Sequence, residues 1–229
     1  MITGGSRGIG LATARVFADA EYAVIITGRD SARLGEAVAD LKERGAWIDG
    51  ITCDVCDPAA VARAFEIIQQ QYKTIDVLVN NAGVAHELLP VDKLPLEIWK
   101  QVIDTNLTGT FLVTQAALPL MSAGGTVVNN LSIAAVQAFA GMSAYNAAKF
   151  GALGFTKALR EEVRKQGIRV LALLPGATNT DIWQQFWPEA PREKMISPQT
   201  VAEAVLHAIS ARPEASVEEI VIGPTAGVL

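Results

Sequence analysis

Tyr145 and Lys149 are four positions apart, a spacing that on a helix stacks the two side chains one turn apart on the same face. An ammonium held beside a phenol turns tyrosine into a usable proton donor or base. A free phenol titrates near about 10, and bringing it to neutral pH requires roughly 4 kcal/mol. A unit charge about 4 Å away at an effective dielectric of about 20 supplies that much. Upstream, Ser132 closes an apolar run and offers a second hydroxyl. Short pairs of this kind arise by chance in many chains, so their meaning rests on the elements that position them.

Val- and Ile-rich runs at 23–27, 47–52, 75–80, 126–131, 169–174 and 219–222 read as short buried strands. Segments of helical period lie at 8–20, 31–44, 58–72, 96–121, 143–165 and 198–210. Such alternation predicts βαβ units and a parallel sheet covered on both faces. A single α/β domain over 1–229 is expected, with Asp57 capping the helix at Pro58. Only Met1-Ile2-Thr3 precedes the first glycine turn, which leaves a stub for the first strand. An edge position tolerates a stub and a central one is weakened by it, so the start reads as trimmed.

The 229 residues are 50% hydrophobic and 19% charged, a composition that supports a substantial core. No apolar run approaches the roughly 18 residues of a membrane span, and no basic segment leads into an apolar core as in a signal peptide. The net charge of −5 carries no basic footprint for nucleic acid. Cys53 and Cys56 lack the second pair a structural zinc would need, and His86 and His207 stand alone. Free thiols and a cytoplasmic location are expected.

Thr3-Gly4-Gly5-Ser6-Arg7-Gly8-Ile9-Gly10 forms a glycine-rich turn into a helix, where the backbone can approach a phosphate and helix N–H groups can receive it. No Gly-Lys-Ser/Thr follows, which excludes a P-loop. At the end of the second strand, Thr27-Gly28-Arg29-Asp30 offers an arginine where dinucleotide folds read the adenosine ribose. Arg29, with Arg7, suits a 2′-phosphate, so NADP(H) is favoured over NAD(H). Asp30 either caps the next helix or reaches the ribose itself. Asp54-Val55 follows the third strand, at the edge where adenine is expected. Asn80-Asn81-Ala82-Gly83 after the fourth allows close approach to a cofactor.

Thr3-Gly4-x-x-x-Gly8-Ile9-Gly10, Asn80-Asn81-Ala82-Gly83, Asn106 within Asp104–Gly109, Ser132, Tyr145-x-x-x-Lys149 and Pro175-Gly176 occur here in one order. Together they closely resemble the short-chain dehydrogenase/reductase family, in particular its β-ketoacyl-acyl-carrier-protein reductase-like members. The resemblance implies a Rossmann fold with a single doubly wound parallel sheet of about seven strands. It implies a catalytic group of Asn106, Ser132, Tyr145 and Lys149. In that group Tyr145 moves the proton, Lys149 lowers its pKa and holds the nicotinamide ribose, Ser132 holds the substrate oxygen, and Asn106 anchors a water leading to Lys149. The family pattern places Gly4, Ser6, Arg7, Gly8, Ile9 and Gly10 on the cofactor. It adds Arg29, Asp54 and Val55 at the adenosine end and Asn81, Ala82 and Gly83 beneath the ribose. Pro175, Gly176, Thr178 and Thr180 fall near the carboxamide and pyrophosphate. No metal is needed.

Beyond Asp181, Ile182-Trp183-Gln184-Gln185-Phe186-Trp187-Pro188 matches the variable lid, expected near 181–197, with Trp183 or Phe186 against substrate. The ending Glu218–Pro224 departs from the carrier-protein reductases, which puts acyl-carrier substrates in doubt. By analogy a homodimer or homotetramer is expected, acting on a small carbonyl or alcohol. The function expected is NADP(H)-dependent interconversion of a ketone or aldehyde with its alcohol. The alternatives are an NAD-dependent alcohol dehydrogenase and a non-catalytic dinucleotide sensor or scaffold.

Overall fold

Six strands follow the Val- and Ile-rich runs and a seventh forms from the Ile2-Thr3 stub in the computed structural model, which describes residues 1–43 and 45–227. They are β1 (Ile2–Thr3), β2 (Val24–Gly28), β3 (Ile48–Thr52), β4 (Val77–Asn80), β5 (Thr126–Asn130), β6 (Arg169–Pro175) and β7 (Glu219–Ile222). All neighbours pair in parallel, in the order β3-β2-β1-β4-β5-β6-β7. Helices α1 (Gly8–Asp19), α2 (Ser31–Glu43) and α3 (Pro58–Gln71) fill the first crossovers. After β4 come α4 (Leu96–Ile103), α5 (Gly109–Ala117) and α6 (Ser143–Val163), then α7 (Trp183–Phe186) and α8 (Pro198–Ile209). This is the doubly wound Rossmann arrangement.

The period of two along each strand sends neighbours to opposite faces. Val128, Leu171 and Ile26 enter a core with α1, α2 and α8. Val127, Val170 and Ile25 enter a second core with α3, α5 and α6. Between those layers a buried polar chain crosses the sheet. Asn80 donates to Thr114 Oγ1 (2.9 Å) and to Asn129 Oδ1 (2.8 Å), and Asn129 donates to Thr156 Oγ1 (2.8 Å). It ties β4 and β5 to α5 and α6.

The stub β1 is central, not an edge strand. Its register reaches only Ile26, Thr27 and Val79, so Val24 and Ile25 have no β1 partner. Met1 extends the pairing, its terminal N–H donating to Val77 O (2.7 Å) and its carbonyl accepting from Val79 N (2.8 Å). Burial there pulls the terminal amine down to about 5.

One helix expected over 96–121 is several elements. After α4 the chain makes a π-turn at Asp104–Thr108, continues as α5 and ends in a 3₁₀ turn at Leu118–Leu120 around Pro119. The widening has a local cause. Thr105 Oγ1 donates to Gln101 O, Asn106 Nδ2 to Val102 O and Thr110 Oγ1 to Asn106 O, so side chains draw successive carbonyls off the helical ladder. The expected helix 143–165 stops at Val163, where a 3₁₀ turn leads to left-handed Gly167. Asp57 caps α3 through Ala59 N at 2.9 Å. Arg44, the expected last residue of the second helix, lies outside the described residues, as do residues 228–229 of the expected domain.

Candidate active site

A cleft of about 820 Å³ opens at the carboxyl ends of the strands. Its floor is the turn between β1 and α1. Gly4 and Gly8 are left-handed there, at φ +61° and +55°, and a Cβ on Gly4 would stand 2.9 Å from Ala82 Cα. Arg7 precedes α1 without a side-chain cap, so the first-turn N–H groups stay available for an anion. Gly4, Ser6, Arg7, Gly8 and Ile9 line the cleft. Gly10 does not. It is buried, and a Cβ there would strike Gly4 O and Asn81 Nδ2, so its role is to let helix and loop close up.

Asn81 holds that floor to the sheet. Its amide donates to Thr3 O and Gly4 O (both 3.0 Å), while Thr3 Oγ1 accepts from Asn81 N and Ala82 N. Asn130 at the end of β5 donates to Asn81 Oδ1 at 2.8 Å. Asn81, Ala82 and Gly83 all face the cleft, as do Asp54 and Val55 beyond β3. Asp54 Oδ1 accepts from Cys56 N at 2.9 Å.

At the outer end stand Arg7, Arg29 and Arg33, all exposed and lining the cleft. None is in an ion pair among the described residues. Asp30, the rival for the ribose, is used by α2. Its carboxylate accepts from Arg33 N (3.1 Å) and its carbonyl from Leu34 N (3.0 Å). The cradle therefore fits an NADP molecule, with a capless helix start for the pyrophosphate and three unpaired guanidinium groups for a phosphorylated ribose.

At the inner end α6 presents Tyr145 and Lys149. Lys149 is buried at 5% exposure, lies 5.5 Å from the Tyr145 ring centroid and donates to Asn130 O at 3.1 Å. Burial pushes Tyr145 up to about 12, against a hydrogen bond with Ser132 that favours the phenolate, and draws Lys149 down to about 8. The expected phenol lowered by its neighbouring cation is thus not the state of the chain alone. Desolvation outweighs the Ser132 hydrogen bond.

Ser132 Oγ accepts from Ala134 N at 3.1 Å, which leaves its own proton to be donated toward the Tyr145 oxygen at the inner end of the cleft. Asn146, between the two α6 residues, donates to Ala134 O (2.9 Å) and Gln137 O (2.8 Å) and accepts from Phe139 N (3.0 Å). It clamps the Ser132 loop to the helix bearing Tyr145. Asn106 lies in the π-turn with its amide donating to Val84 O and Val102 O (2.9 Å each) and accepting from Val84 N (3.3 Å). Its side chain thus secures the loop after β4. Gly83 separates it from Lys149: a Cβ there would be 2.7 Å from Asn106 Oδ1 and 3.8 Å from Lys149 Nζ.

Pro175, Gly176, Thr178 and Thr180 line the wall after β6. Thr178 spends its hydroxyl on Gly176 O (3.0 Å). Helix α7 is fastened at both sides. Trp183 Nε1 donates to Thr178 O (2.8 Å), Gln185 Oε1 accepts from Ala85 N (2.9 Å), and Arg192 donates to Thr180 O (2.5 Å). Trp183 packs on Phe186 at 4.6 Å between centroids, and both line the cleft with Trp187.

Arg33, Asn130 and Asn146 were not singled out from the sequence. Arg33 falls on the outer face of a helix by period, and Asn146 shows only as a polar residue inside Tyr-Asn-x-x-Lys, a weak signal. Gly223 and Pro224 of the last segment also border the cleft, where Gly176 N donates to Ile222 O at 2.7 Å.

The model of the short chain dehydrogenase family matches residues 1–191. Sepiapterin reductase of Chlorobaculum tepidum is 35% identical over 99% of this chain and 96% of its own length. The 3-oxoacyl-acyl-carrier-protein reductase FabG of Aquifex aeolicus is 35% identical over 90% of this chain and 87% of its own. A short chain dehydrogenase from Burkholderia cenocepacia solved with NADP superimposes at a TM-score of 0.87, with 30% identity over 96% of this chain and 94% of its own. Further similar structures hold NADP or NADPH. With this cleft, the chain belongs to the short-chain dehydrogenase/reductase family as a ketoacyl reductase-like, NADP-using oxidoreductase acting on CH–OH or carbonyl groups.

Proposed function

We propose that the protein reduces a ketone or aldehyde to the matching alcohol, with Tyr145 as proton donor to the carbonyl oxygen. The observation that carries this is the meeting of the Ser132 and Tyr145 hydroxyls at the inner end of the cleft, with the Lys149 ammonium directly behind. NADPH, when bound, supplies a hydride to the carbonyl carbon and leaves as NADP⁺. Tyr145 gives its proton to the oxygen as negative charge develops there. Ser132, its oxygen already receiving Ala134 N–H, turns its own proton toward the same oxygen and stabilises the charge. Lys149 opposes the growing phenolate charge and holds the nicotinamide ribose. Asn106 fixes the loop beside it. In the reverse direction Tyr145 accepts the proton.

The reading takes 1–229 as one cofactor-binding domain with a lid over 181–197. It includes self-association through α5 and α6, where Phe111 and Phe150 are 42% and 46% exposed. A cytoplasmic location belongs to the reading too, supported by the free Cys53 and Cys56. Among the described residues no helix is long and apolar enough to cross a membrane.

The test is NADPH consumption with a panel of ketones and aldehydes, in wild type and Ser132→Ala. Consumption with at least one carbonyl, reduced about 100-fold or more in the variant, is the expected result. A folded, NADPH-binding protein that reduces no carbonyl overturns the proposal.

A further inference from the structure

Resting on that reading, we infer that the substrate is an uncharged carbonyl compound carrying a bulky apolar group, and that the site rejects carboxylate-bearing analogues. The inference comes from an asymmetry of charge along the cleft. Among the described residues lining it, the outer end has three guanidinium groups in no ion pair, whereas the inner end, around the Ser132 and Tyr145 hydroxyls, has Lys149 as its one cation. That lysine lies over the tyrosine ring, 5% exposed and bonded to Asn130 O, and in the proposed reaction it is taken up by the nicotinamide ribose and the phenolate, leaving a second anionic group no cation of its own.

The side chains that close the inner end are apolar. Leu88 and Phe139 stand on the two loops joined by the Leu89 N to Gly141 O bond of 3.0 Å, and Met142 follows. Opposite them the lid contributes Phe186 and Trp187, each packed at a tilt against Trp183. Trp183 spends its N–H on Thr178 O, so the indole adds surface and no donor to the substrate. The Gln185–Ala85 bond draws this aromatic cover against the Val84–Leu88 loop. The ionisable group at the lid's start is exposed Asp181, whose charge repels an anion. A carboxylate entering here would lose its hydration and gain no partner, whereas an aryl or alkyl group would fill the aromatic wall.

A matched pair of substrates tests this with the intact enzyme and NADPH. Benzoylformate and its ethyl ester present the same keto carbonyl and phenyl ring, and differ in the charge. We expect kcat/KM for the ester to exceed that for the anion by at least about tenfold, equivalent to about 1.4 kcal/mol. Leu88 is 50% exposed, so an arginine there can be accommodated at the surface. Leu88→Arg is expected to raise kcat/KM for benzoylformate by about fivefold or more. Equal or faster turnover of the anion by wild type overturns the inference, as does a Leu88→Arg enzyme with no gain on the anion. 2,3-Butanedione separates the two levels of the argument. Its reduction without reduction of either phenyl compound leaves the proposed function standing and overturns the bulky-group inference. Failure with all three carbonyls, with NADPH still bound, overturns the function and this inference together.

Discussion

The Lys149 ammonium lies over the face of the Tyr145 ring, 5.5 Å from its centroid, and is anchored from behind by Asn130 O at 3.1 Å. The pair is arranged for electrostatic support at the expense of stability. An amine buried to 5% exposure is drawn down to about 8 because its charged form has lost water.

Replacing that amine should stabilise the fold. Below about pH 8 Lys149 is charged in both the folded and unfolded chains, so the whole burial penalty is present. Between about pH 8 and 10.5 the folded chain releases the proton first. The unfolded state then binds more protons and stability rises with pH. Lys149→Met should therefore be more stable than wild type by about 1–3 kcal/mol at pH 7, with the advantage shrinking toward pH 10, while turnover is lost. Urea unfolding at several pH values measures this. A variant less stable than wild type at pH 7 contradicts it.

At the far end of the cleft, Arg33 stands with Arg7 and Arg29, and Asp30 is occupied as the cap of α2. Arg33→Ala should weaken NADPH binding by about 3- to 10-fold and leave NADH within about twofold, with the difference shrinking at high salt. Asp30→Asn should leave the cofactor preference in place. Parallel calorimetric titrations with the two cofactors decide it, and an equal loss for both would remove Arg33 from the phosphate site.

Asn146 touches neither hydroxyl but holds the Ser132 loop to α6 by three hydrogen bonds. As a positioning residue it should act on kcat. Asn146→Ala is expected to lower kcat by about 10- to 100-fold with NADPH affinity unchanged, and Asn146→Asp to recover less than half of the loss because it keeps the acceptor and loses the donors. A fall in cofactor affinity equal to the fall in kcat would show general damage instead.

Much of this was legible in the chain because the signals are local. Buried parallel strands announce themselves as Val-Ile runs, and the glycine turn and Tyr145-x-x-x-Lys149 each lie within one turn of structure. What was hidden depends on distant partners. The central place of β1 between β2 and β4 is a matter of crossover, invisible in Ile2-Thr3 itself. The π-turn at Asn106 follows from side-chain bonds to carbonyls four residues back, inside a helical period that continues unbroken through 96–117. The Tyr145 phenol, expected low from its lysine, stands at about 12 because burial, unlike spacing, is a property of the packed chain.

Tyr145→Phe isolates the proton that the proposed reaction needs, since it removes one oxygen and keeps the ring on which Lys149 rests. The measurement is single-turnover reduction of a ketone by enzyme saturated with NADPH, beside a fluorescence titration of NADPH on the same variant. We expect the rate to fall by about 10³-fold with NADPH affinity within about twofold of wild type. A variant that binds NADPH normally and reduces the ketone at a rate within about tenfold of wild type would contradict Tyr145 as the proton donor.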